Sequence, residues 1–149
     1  MSNCLNYDGV NDLVDMGDRA TLEGNATWTF ALWLKPDTFT GARDTWLMYK
    51  QNVLQVGFLS GASRQVSVNI GGGNNNSLQG AVTNSTQLRS NEWAHVAVPY
   101  TNSTVKFYVN GLLMDTITKT YTMGSNNKSF SLSTSRAVEA GYRRKIAEK

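Results

Sequence analysis

Residues 92–118, EWAHVAVPYTNSTVKFYVNGLLMDTIT, leave this chain few architectures. EWAHVAVPY reads as a strand, TNST as a turn, and VKFYVNGLLMDTIT as two strands folded back on each other at Asn110-Gly111. Asn-Gly between apolar runs is the strongest short-range hairpin cue, because both residues tolerate the left-handed backbone that a type I′ turn needs. A chain that commits so much of its length to adjacent antiparallel strands is built as a sheet. The rest of the sequence agrees. In ATWTFALWLKP, residues 26–36, Trp28, Phe30, Leu32 and Leu34 fall on one face and Thr29, Ala31, Trp33 and Lys35 on the other. Trp33 on the second face predicts burial on both sides and therefore a central strand, ended by Pro36, which has no N–H for a ladder.

Short runs at 3–7 and 13–16 flank a tight turn at DGVND. Further strands are expected at 44–50, 53–60 and 64–70. GGGNNNSLQGAVTNS, from Gly71, reads as a surface loop. Residues 119–134 are polar with brief strands. Residues 135–149 stay open between strand and helix: Val138, Tyr142 and Ile146 recur every fourth residue, but Gly141 interrupts them. At 149 residues with 40% hydrophobic and 17% charged content, one domain spanning 1–149 with a sizeable core is expected. Asn and the 13 Gly supply turn residues.

The net charge is +3, with Arg136, Arg143, Arg144, Lys145 and Lys149 near the C-terminus. Tyr142 is the one aromatic among these cations, short of the interleaved aromatics of a nucleotide platform, so nucleic acid is not the expected partner. A single cysteine, Cys4, excludes an intrachain disulfide and reads as a small core side chain. No stretch is long and apolar enough for membrane insertion by a helix. The first strand begins almost at once, so no signal peptide is read in this chain. The expectation is an excised or truncated module, or a protein made without export, such as a virion component.

Three passages together carry a family resemblance. LNYDGVNDLVDMG, WTFALWLKP and EWAHVAVPYTNSTVKFYVNGLLM resemble, in order and spacing, the opening turn, the Trp-aliphatic-Lys-Pro strand and the Trp-x-His-Val-Ala strand with Tyr-Val-Asn-Gly hairpin of the laminin-G-like, concanavalin A-like lectin/glucanase jelly-roll family. The resemblance implies an all-β, two-sheet antiparallel jelly-roll sandwich with Trp28, Trp33 and Trp93 at core positions. GYRRKIAEK resembles the family's closing strand but stops at Lys149, which implies a short or incomplete C-terminal element.

Two readings of the acidic opening remain. Asp8, Asp12, Asp15 and Asp18 are four of the chain's eleven acids. Asp8 and Asp12 suit turn chemistry, accepting backbone N–H bonds, with Asp15 facing solvent. Alternatively, calcium takes six to eight oxygens including carboxylates and carbonyls. Asp8, Asn11 and Asp12 with a distant Glu148 are the candidate ligands that the resemblance implies, since some relatives bind calcium near the opening and closing strands.

His95, the only histidine, has no triad or zinc partner at a recognisable spacing and reads as a packing residue. No Glu-x-Asp-x-x-Glu string supplies the acid pair of glycoside hydrolysis, so an enzyme is not expected. Trp46 and Tyr49 have two readings, core packing or an exposed platform for sugar C–H faces. Asn74, Asn75 and Asn76 in the Gly/Asn loop offer amides for hydroxyls, or are simply a soluble turn. The resulting expectation is a non-catalytic, lectin-like module, extracellular or on a virion surface. It would bind a carbohydrate or glycoconjugate, with copies able to oligomerise. The alternative is a structural or protein-adhesion module of a viral tail fibre or cell-surface protein.

Overall fold

A computed structural model of the chain describes residues 5–7, 12–20, 23–24, 27–37, 45–58, 65–71, 77–78, 87–101, 103–118 and 124–133. The described residues contain no α-helix. Their ten strands are β1 (Leu13–Asp15), β2 (Thr27–Leu34), β3 (Thr45–Lys50), β4 (Leu54–Phe58), β5 (Val66–Ile70), β6 (Ser77–Leu78), β7 (Ala94–Thr101), β8 (Thr104–Val109), β9 (Leu112–Thr118) and β10 (Ser131–Ser133). A six-stranded sheet runs β1-β10-β3-β4-β5-β6 and a four-stranded sheet β2-β7-β8-β9, every pair antiparallel. The all-β, two-sheet expectation holds.

Register sorts the side chains. Across the six-stranded sheet, Val14, Leu132, Met48, Val56, Val68 and Leu78 stand in one row. The next row is Asp15, Ser131, Tyr49, Gln55, Asn69 and Ser77. Successive residues of a strand point to opposite faces, so Val14, Leu132, Met48, Val56 and Val68 meet the other sheet while Asp15, Ser131, Tyr49, Gln55 and Asn69 point away. Val56 and Val68 enter the core with Leu54, Phe58, Val66 and Ile70. From the four-stranded sheet come Phe30, Leu34, Val96, Val98, Tyr100, Val105, Phe107 and Val109. Each such side chain contributes roughly 1.5–3 kcal/mol by leaving water. Trp28 stacks on its cross-strand partner Tyr100 at 5.4 Å.

Two corner devices fix the four-stranded sheet. Asn110 and Gly111 both take positive φ, 51° and 80°, and close the β8–β9 hairpin as the sequence predicts. Asn110 also ties that turn to β7: its Oδ1 accepts from His95 N at 2.9 Å, its N donates to His95 O at 2.8 Å, and its Nδ2 donates to Gln87 O at 3.3 Å.

The acidic opening divides by position. Asp15 is exposed, and its Oδ1 accepts from Gly17 N at 2.8 Å. Asp18 is an ion-pair partner: with Glu23 it brackets Lys50 Nζ at 2.7 and 2.6 Å. Lys50 ends β3 with no solvent exposure, its ammonium 5.2 Å from the Phe130 ring centre. Burial pulls its pKa down, but the hydrogen bonds and charges of Asp18 and Glu23 outweigh that and leave it raised. Lysine is almost never fully buried unless it is paired in this way.

Several expectations change. Leu5–Tyr7 form no strand, and Leu5 is exposed. β6 adds two strand residues inside the segment read as loop. Most importantly, β2 is not central: among the described residues it pairs only with β7 and ends its sheet. Trp33 is accordingly 64% exposed rather than buried on both sides, and Trp93 is also exposed. Cys4, residues 8–11 of the DGVND turn and residues 135–149 lie outside the described residues.

Candidate functional site

The outward face of the four-stranded sheet is built from the positions that alternation turns away from the core. Trp33 on β2 stands opposite His95 on β7. Ala31 stands opposite Ala97, which in turn faces Tyr108 on β8 and then Leu113 on β9. Thr29 faces Pro99. Thr27, Thr101, Thr104 and Thr118 make a row of hydroxyls across all four strands. The two alanines form a low floor between the aromatic row and the threonines.

Trp33 and His95 are in contact, ring centres 5.2 Å apart and tilted by 48°. Such a pair is worth about 0.5–1.5 kcal/mol beyond area burial and restricts the indole's orientation. His95 is itself held by the two backbone-level bonds to Asn110. The hairpin turn thus positions the histidine, and the histidine supports the tryptophan. At the other end of the face, Pro99, Thr101, Thr104, Lys106 and Tyr108 line a shallow hollow of about 460 Å³. An exposed indole on a rigid sheet, with hydroxyl, phenol and ammonium groups near it, suits a ligand with both C–H faces and hydroxyls.

The opposite sheet places the residues singled out from sequence. A bulge between Trp46 and Met48 turns Trp46 away from the core while Met48 stays in it, so Trp46 and Tyr49 share the outward face. Trp46, Gly57 and Ser67 form a row there. In the adjoining row Asn69 Nδ2 donates to Gln55 Oε1 at 2.9 Å, and Ser131 Oγ donates to Tyr49 O at 3.4 Å. Trp46 and Tyr49 are 4% and 5% exposed, so both are packed and neither ring is presented as a platform. Trp46 Nε1 and Ser67 Oγ are buried and have no hydrogen-bond partner among the described residues.

Asn74, Asn75 and Asn76 lie outside the described residues, as do Asp8, Asn11 and Glu148. Of the candidate calcium ligands only Asp12 is described. It lies close enough to Tyr7 that, after burial, its charge is the second cause raising that phenol's pKa. Among the described residues no group of three His, Cys, Asp or Glu side chains is arranged to hold a metal.

Sequence reasoning missed Trp33, Pro99, Lys106 and Tyr108 as surface groups. The clue was the company Trp33 keeps: Thr29, Ala31 and Lys35 share its face, and that is the composition of an uncovered face rather than a second core.

The concanavalin A-like lectin/glucanases superfamily pattern matches residues 8–144. No curated protein sequence matches the chain. Among solved structures, domain 4 of AbnA, an extracellular GH43 arabinanase from Geobacillus stearothermophilus in complex with arabinotriose, is 21% identical. The match has a TM-score of 0.54 and covers 87% of this chain and 56% of that one. The galectin LEC-6 of Caenorhabditis elegans is 14% identical with a TM-score of 0.52, covering 83% of this chain and 84% of the galectin. A structure of botulinum neurotoxin type C, whose cell entry depends on interaction with two ganglioside molecules, is 15% identical with a TM-score of 0.58. This match covers 82% of the present chain and 31% of the toxin chain. At such identities these likenesses establish a shared sandwich and nothing about ligands. The hairpin, the paired sheets and the matched span together place the chain in the concanavalin A-like lectin/glucanase superfamily, to which it belongs.

Proposed function

We propose that this chain is a non-catalytic carbohydrate-binding module that takes saccharides on the outward face of its four-stranded sheet. One observation carries the reading: a rigidly supported, 64% exposed Trp33 set against His95 beside an alanine floor. The indole offers a face to sugar C–H groups, and the threonine row and Tyr108 offer hydrogen bonds to hydroxyls. The superfamily, a neighbour solved in complex with arabinotriose and a toxin whose cell entry depends on gangliosides support a glycan or glycoconjugate as the ligand class. Against turnover, β2, β7 and β8 contain no Asp or Glu. Glycosidases flank the scissile bond with two carboxylates about 5–10 Å apart. A shallow site predicts affinity on the order of 0.1–1 mM for a single sugar, raised where copies act together. The setting for such a module is extracellular or a virion surface.

Calorimetric titration against a panel of neutral oligosaccharides tests this. Trp33→Ala should weaken binding about tenfold, equivalent to about 1.4 kcal/mol, while Trp46→Phe leaves it unchanged. The second reading, protein adhesion, is favoured by two exposed leucines of β9, Leu113 on this face and Leu112 beside it at the hairpin turn. It predicts no sugar affinity and concentration-dependent self-association or a defined protein partner that Leu112→Ser/Leu113→Ser abolishes. Calcium, if held by Asp8, Asn11, Asp12 and Glu148, would order the opening turn and add no chemistry to the sheet face.

A further inference from the structure

Resting on that reading, we infer that the hollow over β7 and β8 selects anionic saccharides, with Lys106 as the residue that reads the charge. The hollow holds about 460 Å³ and is lined by Pro99, Thr101, Thr104, Lys106 and Tyr108. That volume falls within the usual range of small-ligand sites, roughly 300–1,000 Å³. Its chemistry is one-sided. Its described lining presents one ammonium, one phenol and two aliphatic hydroxyls around a proline ring, and no carboxylate is among the described residues that line it. Lys106 is exposed and has no ion-pair partner among the described residues.

A neutral sugar would leave that cation's charge unused. A carboxylate or sulfate would accept hydrogen bonds from the ammonium, while the threonine hydroxyls and Tyr108 bind ring hydroxyls and Pro99 contacts a C–H face. Hydrogen bonds in which one partner is ionised are roughly twice as strong as neutral ones. Tyr108 and Lys106 lie on the same face of β8, two residues apart, and Thr101 faces Thr104 directly, so register holds the set together.

The experiment titrates the full chain with two matched pairs: N-acetylneuraminic acid against its methyl ester, and N-acetylglucosamine 6-sulfate against N-acetylglucosamine. An ionic strength of 150 mM screens long-range attraction to the net charge of +3 beyond about 8 Å. At least one anionic sugar should bind five- to tenfold more tightly than its neutral partner. Lys106→Gln should erase that preference, and Lys128→Gln, at an exposed lysine outside the hollow, should retain it. Preference for only the carboxylate or only the sulfate identifies which anion the hollow accepts. Equal affinity within both pairs, or an undiminished preference in Lys106→Gln, overturns the inference. If Trp33→Ala still weakens neutral sugars in that case, the carbohydrate-binding reading stands without it. If no saccharide binds at all, both fall.

Discussion

Replacing Lys50 with methionine probes a buried charge whose partners are unequally placed. The ammonium is wholly buried; Glu23, 2.6 Å away, keeps only 10% of its side-chain surface, and Asp18, 2.7 Å away, keeps 43%. Breaking a buried pair by removing one partner costs about 3–5 kcal/mol, because the other charge is left without compensation. Here Asp18 rehydrates freely, and Glu23 still accepts the Asn126 N–H at 3.1 Å, so the loss should fall near the lower bound, about 3 kcal/mol. For a domain of this size that lowers the melting midpoint by roughly 6–12 °C. Urea denaturation followed by far-ultraviolet circular dichroism measures it. Adding Glu23→Gln to Lys50→Met removes the stranded anion and should recover at least half of the loss.

The alkaline limb gives an independent check. The folded-state pKa of Lys50 lies above the ordinary lysine value of 10.5, so its contribution is complete below that value and fades as pH rises through the folded one. The deficit of Lys50→Met should therefore shrink only above about pH 10.5. A deficit under 0.5 kcal/mol at pH 7, or a double variant no more stable than the single, would refute the reasoning.

Three further outcomes follow from local geometry. Asn110→Ala removes two side-chain bonds and places a Cβ residue without local support at φ 51°, and should destabilise by about 1–2 kcal/mol, with Asn110→Gly losing less; equal effects would mean the side-chain bonds to His95 and Gln87 matter more than φ. A Cβ at Gly124 would lie 2.5 Å from the Asn52 carbonyl oxygen, so Gly124→Ala should cost more than about 1 kcal/mol by thermal denaturation, and a neutral result would show that this contact yields freely. If Asp8 and Asp12 serve turn chemistry, melting midpoints in millimolar calcium and in chelator should agree within about 1 °C; a calcium-dependent rise abolished by Asp12→Asn would assign the opening to a metal.

The sheets were legible because their determinants are local. Asn110-Gly111 sets a turn by backbone preference alone, and the alternation in β2 and β7 separates Phe30 from Thr29 and Val98 from Pro99 without knowledge of any neighbour. What the sequence hid depends on partners far along the chain. The bulge that swings Trp46 off the core is a property of the β3–β4 pairing. Lys50 looks like an ordinary strand-ending lysine until Asp18 and Glu23, more than 25 residues earlier, close on it. Trp33 was misplaced because alternation tells which residues share a face but not whether a third layer covers it.

The central claim is that Trp33, and not the packed tryptophans, meets the ligand. The four indole N–H resonances in a nitrogen–proton correlation spectrum report on it directly as a saccharide is titrated in. The Trp33 resonance should shift progressively with a saturating dose dependence, while those of Trp28 and Trp46 stay fixed. A shift confined to Trp46, or four unmoved resonances at saturating sugar, would contradict the account.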